Sequence, residues 1–157
     1  MRMEEPAAPG VEVKEPITET DLASEFDGLD VDAPRVGIVA GSRAEMEAMV
    51  PAEAELEERA ILFETRVMCP PEEAEMVTDY ARNAKMRGLR VIIAAATPGG
   101  ASGGLPGLIA RHGELPVVGV PLPAEGSDPA DMGGGLVAWM ALGAAREAAV
   151  FAARIIQ

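Results

Sequence analysis

The sequence predicts a single α/β domain, a three-layer α/β/α sandwich around a parallel sheet. Three observations predict it. Short, continuously apolar runs recur, "RVGIVAG" at 35–41, "LRVIIAAA" at 89–96 and "LPVVGVPL" at 115–122, and strands of that kind are buried on both faces, as parallel strands are. Segments with helical apolar spacing separate them, so strands and helices alternate. The chain has 157 residues, 48% of them apolar, which suits one domain with a sizeable core. Right-handed crossovers then place helices on both faces of the sheet.

Residues 1–33 read as an acidic tail preceding a domain at 34–157. The tail holds ten carboxylates against Arg2 and Lys14, with Pro6, Pro9 and Pro16 among few large apolar groups. It buries too little surface to offset its ordering entropy, so disorder is expected. Ile17, Leu22 and Phe26 lie where one face of a short partner-docking helix would put them.

From Pro34 the elements follow in order. "RVGIVAG" is the first strand. "AEMEAMVPAEAELEERA" has helical character, with Met46, Met49 and Val50 in one stripe and a break or restart at Pro51, because proline inside a helix costs about 3 kcal/mol. "ILFETRVM" is the second strand. "CPPEEAEMVTDYARNAKMRG" reads as a helix with Pro71 in its first turn. Glu72, Glu73 and Glu75 stand near the positive end of its dipole. Met76, Val77, Tyr80, Ala81 and Ala84 form its buried stripe, and Gly88 ends it. "LRVIIAAA" is the third strand. "LPGLIARHG" is a short helix with Pro106 in its first turn. "LPVVGVPL" is the fourth strand and "LVAWMAL" the fifth. "GAAREAAVFAARIIQ" closes the chain as a helix with apolar groups on more than one face, as expected of a helix packed on the sheet and on a second subunit.

Composition narrows the function. The net charge is −13, which repels phosphate backbones and makes nucleic acid and anionic membranes poor partners. One cysteine excludes an internal disulfide framework, and one histidine, His112, leaves no zinc cluster. The N-terminus lacks a signal-peptide core and no run approaches 18 apolar residues. A cytoplasmic setting is expected, with no metal.

In a parallel sheet of this kind, ligands sit beyond the carboxyl ends of the strands, where strand order reverses. The candidate loops are "GSRAE", "MCPPEE", "TPGGASGGLPG" and "PAEGSDPADMGGG". The third is rich in glycine, which permits close backbone approach and positive φ.

These loops, with "RVGIVAGS", "GLRVIIAAA", "GGLPGLIA" and "LPVVGVPL" in that order, resemble the PurE family of carboxyaminoimidazole ribonucleotide mutases and aminoimidazole ribonucleotide carboxylases. The resemblance runs from Arg35 to the C-terminus. It implies a flavodoxin-like sheet, a homo-octamer, and a ligand of the aminoimidazole ribonucleotide type bound between subunits. It also implies transfer of a carboxylate between a ring-attached nitrogen and the neighbouring ring carbon, with a histidine shuttling the proton and no cofactor.

The chain departs from the family's pattern at the loops. Where the family reads Gly-Ser-x-Ser-Asp, this sequence has Gly41, Ser42, Arg43, Ala44 and Glu45. Where it reads Ser-Ala-His-Arg, this sequence has Cys69, Pro70, Pro71 and Glu72. Where it reads Ala-His-Leu-Pro-Gly, this sequence has Gly103, Gly104, Leu105, Pro106 and Gly107, so the proton-carrying histidine aligns with Gly104. Acid–base chemistry needs a titratable group in reach, which leaves Glu45 and Cys69 as the catalytic candidates. Gly41, Ser42, Arg43, Gly99, Gly100, Ala101, Gly104 and Leu105 are the ligand-binding candidates. Two functions are expected to compete: carboxyl migration or (de)carboxylation on an aminoimidazole-ribonucleotide-like or other small heterocyclic ligand, or a non-catalytic scaffold whose acidic tail docks on a partner.

Overall fold

The computed structural model describes residues 32–124 and 135–157. The helix anticipated near residues 17–26 and the residues Met132, Gly133 and Gly134 lie outside the described residues. The elements run β1 (Val36–Ala40), α1 (Arg43–Glu47), α2 (Val50–Glu58), β2 (Phe63–Val67), α3 (Ala74–Asn83), β3 (Val91–Ala96), α4 (Leu105–His112), β4 (Val117–Pro121), β5 (Val137–Trp139) and α5 (Ala145–Ile156).

The strands form one five-stranded sheet in the order β2-β1-β3-β4-β5, and each neighbouring pair is parallel. This is the flavodoxin-like order. Val36 of β1 aligns with Phe63 on one side and Val91 on the other. The side-chain period of two then sorts each central strand between two cores. Val36, Ile38 and Ala40 of β1, with Val91, Ile93 and Ala95 of β3, pack under α2 and α5. Val39 of β1, with Ile92 and Ala94 of β3, packs under α3 and α4. Every residue of β1, β3 and β4 is buried, as the continuous apolar runs require. The edge strand β2 ends in three exposed residues.

Local chemistry sets the helix boundaries. Ser42 accepts a hydrogen bond from the Glu45 N–H and caps α1. Pro51 divides the predicted helix as expected: α1 ends at Glu47, and α2 restarts at Val50 with the proline in its first turn, where no N–H is needed. The restart buries Met49 and leaves Val50 exposed, so these two do not share the predicted stripe.

The helix after β2 starts later than the sequence suggests. Its first residue is Ala74 and its N-cap is Glu73, so Pro71 stands in the preceding turn. A residue followed by proline is disfavoured in the α region, which keeps Pro70 out of a helix. The buried stripe is Val77, Tyr80, Ala81 and Ala84, whereas Met76 is 52% exposed. Starting from Ala74, the sheet-facing arc falls at 77, 80, 81 and 84, and Met76 is rotated to the flank beside β2. Gly88 closes the turn after α3 at φ +105°, with the Leu89 N–H donating to the Ala84 carbonyl.

The closing helix packs through Ala148, Ala149, Ala152 and Ala153, all fully buried. Alanine lets α5 lie close to α2 and the sheet. Glu55 of α2 ties the two helices, bridging Arg59 at 2.7 Å and Arg146 of α5 at 3.0 Å.

Candidate functional site

Strand order reverses between β1 and β3, and the loops leaving these two strands meet there. Gly41 follows β1, and a Cβ at Gly41 would lie 2.5 Å from the Ser102 Cβ, 3.0 Å from Glu45 Oε1 and 3.5 Å from Cys69 Sγ. Only glycine fits, and the three side chains around it come from α1, the loop after β2 and the loop after β3.

Glu45 sits one turn into α1 and points back over β1. Its Oε1 accepts from the Gly41 N–H at 2.9 Å. Its Oε2 accepts two hydroxyls, Thr97 Oγ1 and Ser102 Oγ, each at 2.6 Å. The Thr97 N–H donates to Ser102 Oγ at 2.9 Å. Ser102 is 3% exposed. One carboxylate thus holds the glycine loop after β3 to the loop after β1, with hydroxyl bonds at the short distances of charge-assisted pairs.

Cys69, just past β2, borders the same point and is partly buried. Its N–H donates to Glu73 Oε1 at 2.8 Å. Burial raises the thiol's pKa above its ordinary value, and the negative charges of Glu45, Glu72 and Glu73 raise it further. The thiol is therefore neutral at physiological pH, not the activated thiolate that a strand-end cysteine can be.

The structure brings Gly41, Ser42, Glu45 and Cys69 together. Arg43 is exposed on the first turn of α1. Gly99, Gly100 and Ala101 form the exposed crest of the β3 loop, with Gly99 at φ +78°. Gly104 is exposed in ordinary right-handed geometry, and a Cβ there meets no atom within 4 Å among the described residues. The Leu105 side chain is fully buried in the core under α3 and α4, so only its backbone borders the loop. His112 lies at the other end of α4, beside Arg82, Lys85 and Glu114.

Sequence reasoning missed Thr97 and Ser102. The available signal was Ser102 as the sole hydroxyl among the small residues from Pro98 to Gly104. What could not be read was that Glu45, 57 positions earlier, would be its acceptor.

A second polar cluster lies at the β2 edge. Glu64 accepts from the Tyr80 hydroxyl at 2.9 Å and from Arg87, with Arg66 alongside. Burial pushes Glu64 upward, but the bonds from Arg87 and Tyr80 and the charges of Arg87 and Arg66 outweigh it and hold the carboxyl below its ordinary pKa. Arg66, Tyr80 and Arg87 also line a groove of about 370 Å³ with Val67 and Met76. Among the described residues no group of three His, Cys, Asp or Glu side chains is placed to hold a metal, and no helix is long and apolar enough to cross a membrane.

The chain is similar in sequence and fold to known proteins. The chain is 37% identical over 131 residues to the N5-carboxyaminoimidazole ribonucleotide mutase of Saccharolobus solfataricus, covering 78% of this chain and 81% of that one. It is 38% identical over 133 residues to the enzyme of the same name from Mycobacterium tuberculosis, covering 80% and 75%. The crystal structure of Treponema denticola PurE superposes with a TM-score of 0.64 at 23% identity, covering 78% of this chain and 80% of that chain, which supports the same fold. The family model for AIR carboxylase matches residues 35–157, and the chain belongs to that family.

Proposed function

We propose that this protein moves or removes a carboxyl group on a small nitrogen heterocycle of the aminoimidazole type, bound at the reversal point between β1 and β3. The observation that carries this is the convergence of Glu45 and Cys69 on Gly41, beneath a glycine crest, in a chain of this family. The relatives' printed activity, mutase action on N5-carboxyaminoimidazole ribonucleotide, sets the reaction class.

Such a migration is proton-neutral. The ring-attached nitrogen gains a proton as its bond to the carboxyl carbon breaks, and the neighbouring ring carbon loses one once its own bond to that carbon has formed. Two titratable groups border the place where this happens. Glu45 Oε1 accepts one hydrogen bond, from Gly41, and a carboxylate oxygen has room for a second. The Cys69 thiol, which donates to the Pro70 carbonyl at 3.4 Å, is the neutral donor once it turns to the ligand. Ser42 Oγ accepts from the Glu45 N–H and keeps its own proton to donate to the ligand. Arg43, one position on, supplies positive charge for the migrating carboxylate, and the Gly99–Ala101 backbone lies against the ring. No cofactor enters these steps.

The protein acts as a homo-oligomer, an octamer by analogy with the family. The exposed Leu142, Phe151 and Ile155 on and beside α5 are the apolar groups that a second copy covers.

Incubating the full chain with N5-carboxyaminoimidazole ribonucleotide, its C-carboxylated isomer and the dephosphorylated forms of both, with products followed by carbon-13 NMR, tests the reading. Interconversion or carboxyl loss that falls at least 100-fold in Glu45→Gln is expected, the size of a lost acid–base group. No conversion of any of the four overturns it and favours the scaffold reading, in which the acidic residues 1–33 dock on a partner.

A further inference from the structure

The two edges of the sheet are built differently. β5 is three residues long, and a strand that short offers little for another chain to pair with. β2 runs five residues in unbroken register with β1, without bulge, proline or lysine. Among the described residues no strand pairs its outer side. Thr65, Arg66 and Val67 are exposed, and so are two apolar neighbours, Leu62 just before the strand and Met76 of α3. An open edge of this kind is a template for a further strand.

The phase of the open edge follows from the β1 side. The Val36 N–H donates to the Leu62 carbonyl, and the Met68 N–H donates to the Ala40 carbonyl. Residues 62, 64, 66 and 68 therefore turn their backbone groups to β1, and Phe63, Thr65 and Val67 turn theirs outward. In an antiparallel pair of two β2 strands these three become the hydrogen-bonded positions, each exchanging both bonds with the residue opposite. Three registers about the middle of the strand keep that phase. Centring on Glu64 sets two carboxylates face to face, and centring on Arg66 sets two guanidiniums face to face. Centring on Thr65 sets Glu64 opposite the partner's Arg66, twice, on the α3 side of the sheet. On the other side it sets the exposed Val67 opposite the partner's Phe63, also twice. Like charges directly opposite destabilise a strand pair and opposite charges stabilise it, so the charge pattern selects the Thr65 register. Arg66 has half its side chain exposed and stands 3.7 Å from Glu64 of its own chain, which leaves it free to reach a second carboxylate.

We propose that β2 is a self-complementary edge, which pairs antiparallel with β2 of a second copy across a two-fold axis at Thr65 and joins the two sheets into one. The same patch serves both copies, as a two-fold contact requires. The surface is separate from the apolar groups on and beside α5, a helix that lies over β3 and β4. The inference is independent of the carboxyl-transfer reading.

Sedimentation velocity of the full chain tests it. Arg66→Glu sets Glu64 opposite a carboxylate, and the mass of the assembly is expected to fall to about half or less, with the circular dichroism spectrum unchanged. Arg66→Lys keeps the charge and should keep the mass. Phe151→Asp, which disrupts the α5 face, should leave a dimer that becomes a monomer when Arg66→Glu is added. A second measurement reads the register. Thr65→Cys in a Cys69→Ser background puts two thiols opposite each other at the axis, and a short bis-maleimide should link the chains into a covalent dimer. An Arg66→Glu chain with the parent's mass, a Phe151→Asp chain that is already monomeric, or a Thr65→Cys chain that does not cross-link overturns the pairing and assigns the open edge to a different partner. Each of these outcomes leaves the carboxyl-transfer reading standing.

Discussion

The Ser102 hydroxyl donates to Glu45 Oε2 at 2.6 Å, joining the loop after β3 to the first turn of α1 across the reversal of the sheet. Thr97 donates to the same oxygen at the same distance. The shape of the glycine loop therefore depends on one carboxylate. Glu45→Ala leaves a buried hydroxyl without its acceptor and is expected to cost about 2–3 kcal/mol, read from urea unfolding. Glu45→Gln keeps one acceptor oxygen and is expected to cost about half as much. Equal stability of Glu45→Ala and the parent would mean that the clamp does not form.

Gly41 and Ser102 are coupled sterically. Because a Cβ at Gly41 would sit 2.5 Å from the Ser102 Cβ, Gly41→Ala overpacks the site and is expected to destabilise by about 1–3 kcal/mol. Ser102→Gly removes the clashing carbon. In a double-mutant cycle the pair should recover at least about 1 kcal/mol relative to the sum of the single changes. Additive effects would contradict the contact.

The fold was legible in the sequence because its signals are local and repeated. The runs around Val36, Val91 and Val117 are apolar throughout because they are covered on both faces, and Pro51 and Gly88 punctuate the helices where backbone chemistry requires. The phase of α3 was read correctly at Val77, Tyr80, Ala81 and Ala84, but its start was placed too early and Met76, on the flank of the stripe, is exposed. The site was half legible. Gly41, Ser42, Glu45 and Cys69 lie within a few residues of their strand ends, so topology alone brought them together. The Glu45–Ser102 bond joins residues far apart in sequence, and no pattern of residue types encodes which hydroxyl a carboxylate will meet. The state of Cys69 was legible in direction, because Glu72 and Glu73 stand beside it in the chain.

Cys69 should react slowly with thiol reagents. Burial and its three acidic neighbours raise its pKa above the ordinary 9.0, so the thiolate fraction at pH 7.5 is small. Its iodoacetamide alkylation rate is expected to keep rising beyond pH 9 without a plateau. A Glu72→Gln, Glu73→Gln variant should react faster at pH 8, but by less than complete restoration, because burial is the largest cause. A plateau below pH 8 in the parent chain would refute the assignment of a neutral thiol.

Glu64 links stability to pH at the edge of the sheet. Its folded-state pKa lies below the ordinary 4.5, held down by Arg87 and Tyr80 against burial. A depressed carboxylate contributes stability that is complete above its unfolded pKa and is lost as pH falls through the folded one. The chain should therefore lose stability below about pH 4.5, and Glu64→Gln should flatten that part of the profile while lowering stability at pH 7. Unfolding midpoints between pH 3 and 7 check this. An unchanged acid limb in Glu64→Gln would place the linkage elsewhere.

The sequence resemblance predicts the family's histidine at the position of Gly104, and the backbone there accepts one. Its φ of −86° and ψ of −2° are open to any L-residue, and no described atom lies within 4 Å of a Cβ there. Gly104→His is thus expected to change stability by less than about 0.5 kcal/mol. An imidazole there would stand one residue before α4, at the end of the loop that Glu45 holds through Ser102, and a positioned acid–base group contributes about 100-fold or more to rate. Turnover of the carboxylated aminoimidazole substrate should rise at least 10-fold, and its pH profile should acquire a group near 6.5, the ordinary histidine value. The second readout separates a catalytic imidazole from a better-packed loop, since packing alone raises the rate without adding a titration. A folded variant with neither change would show that a side chain at 104 does not reach the reacting atoms.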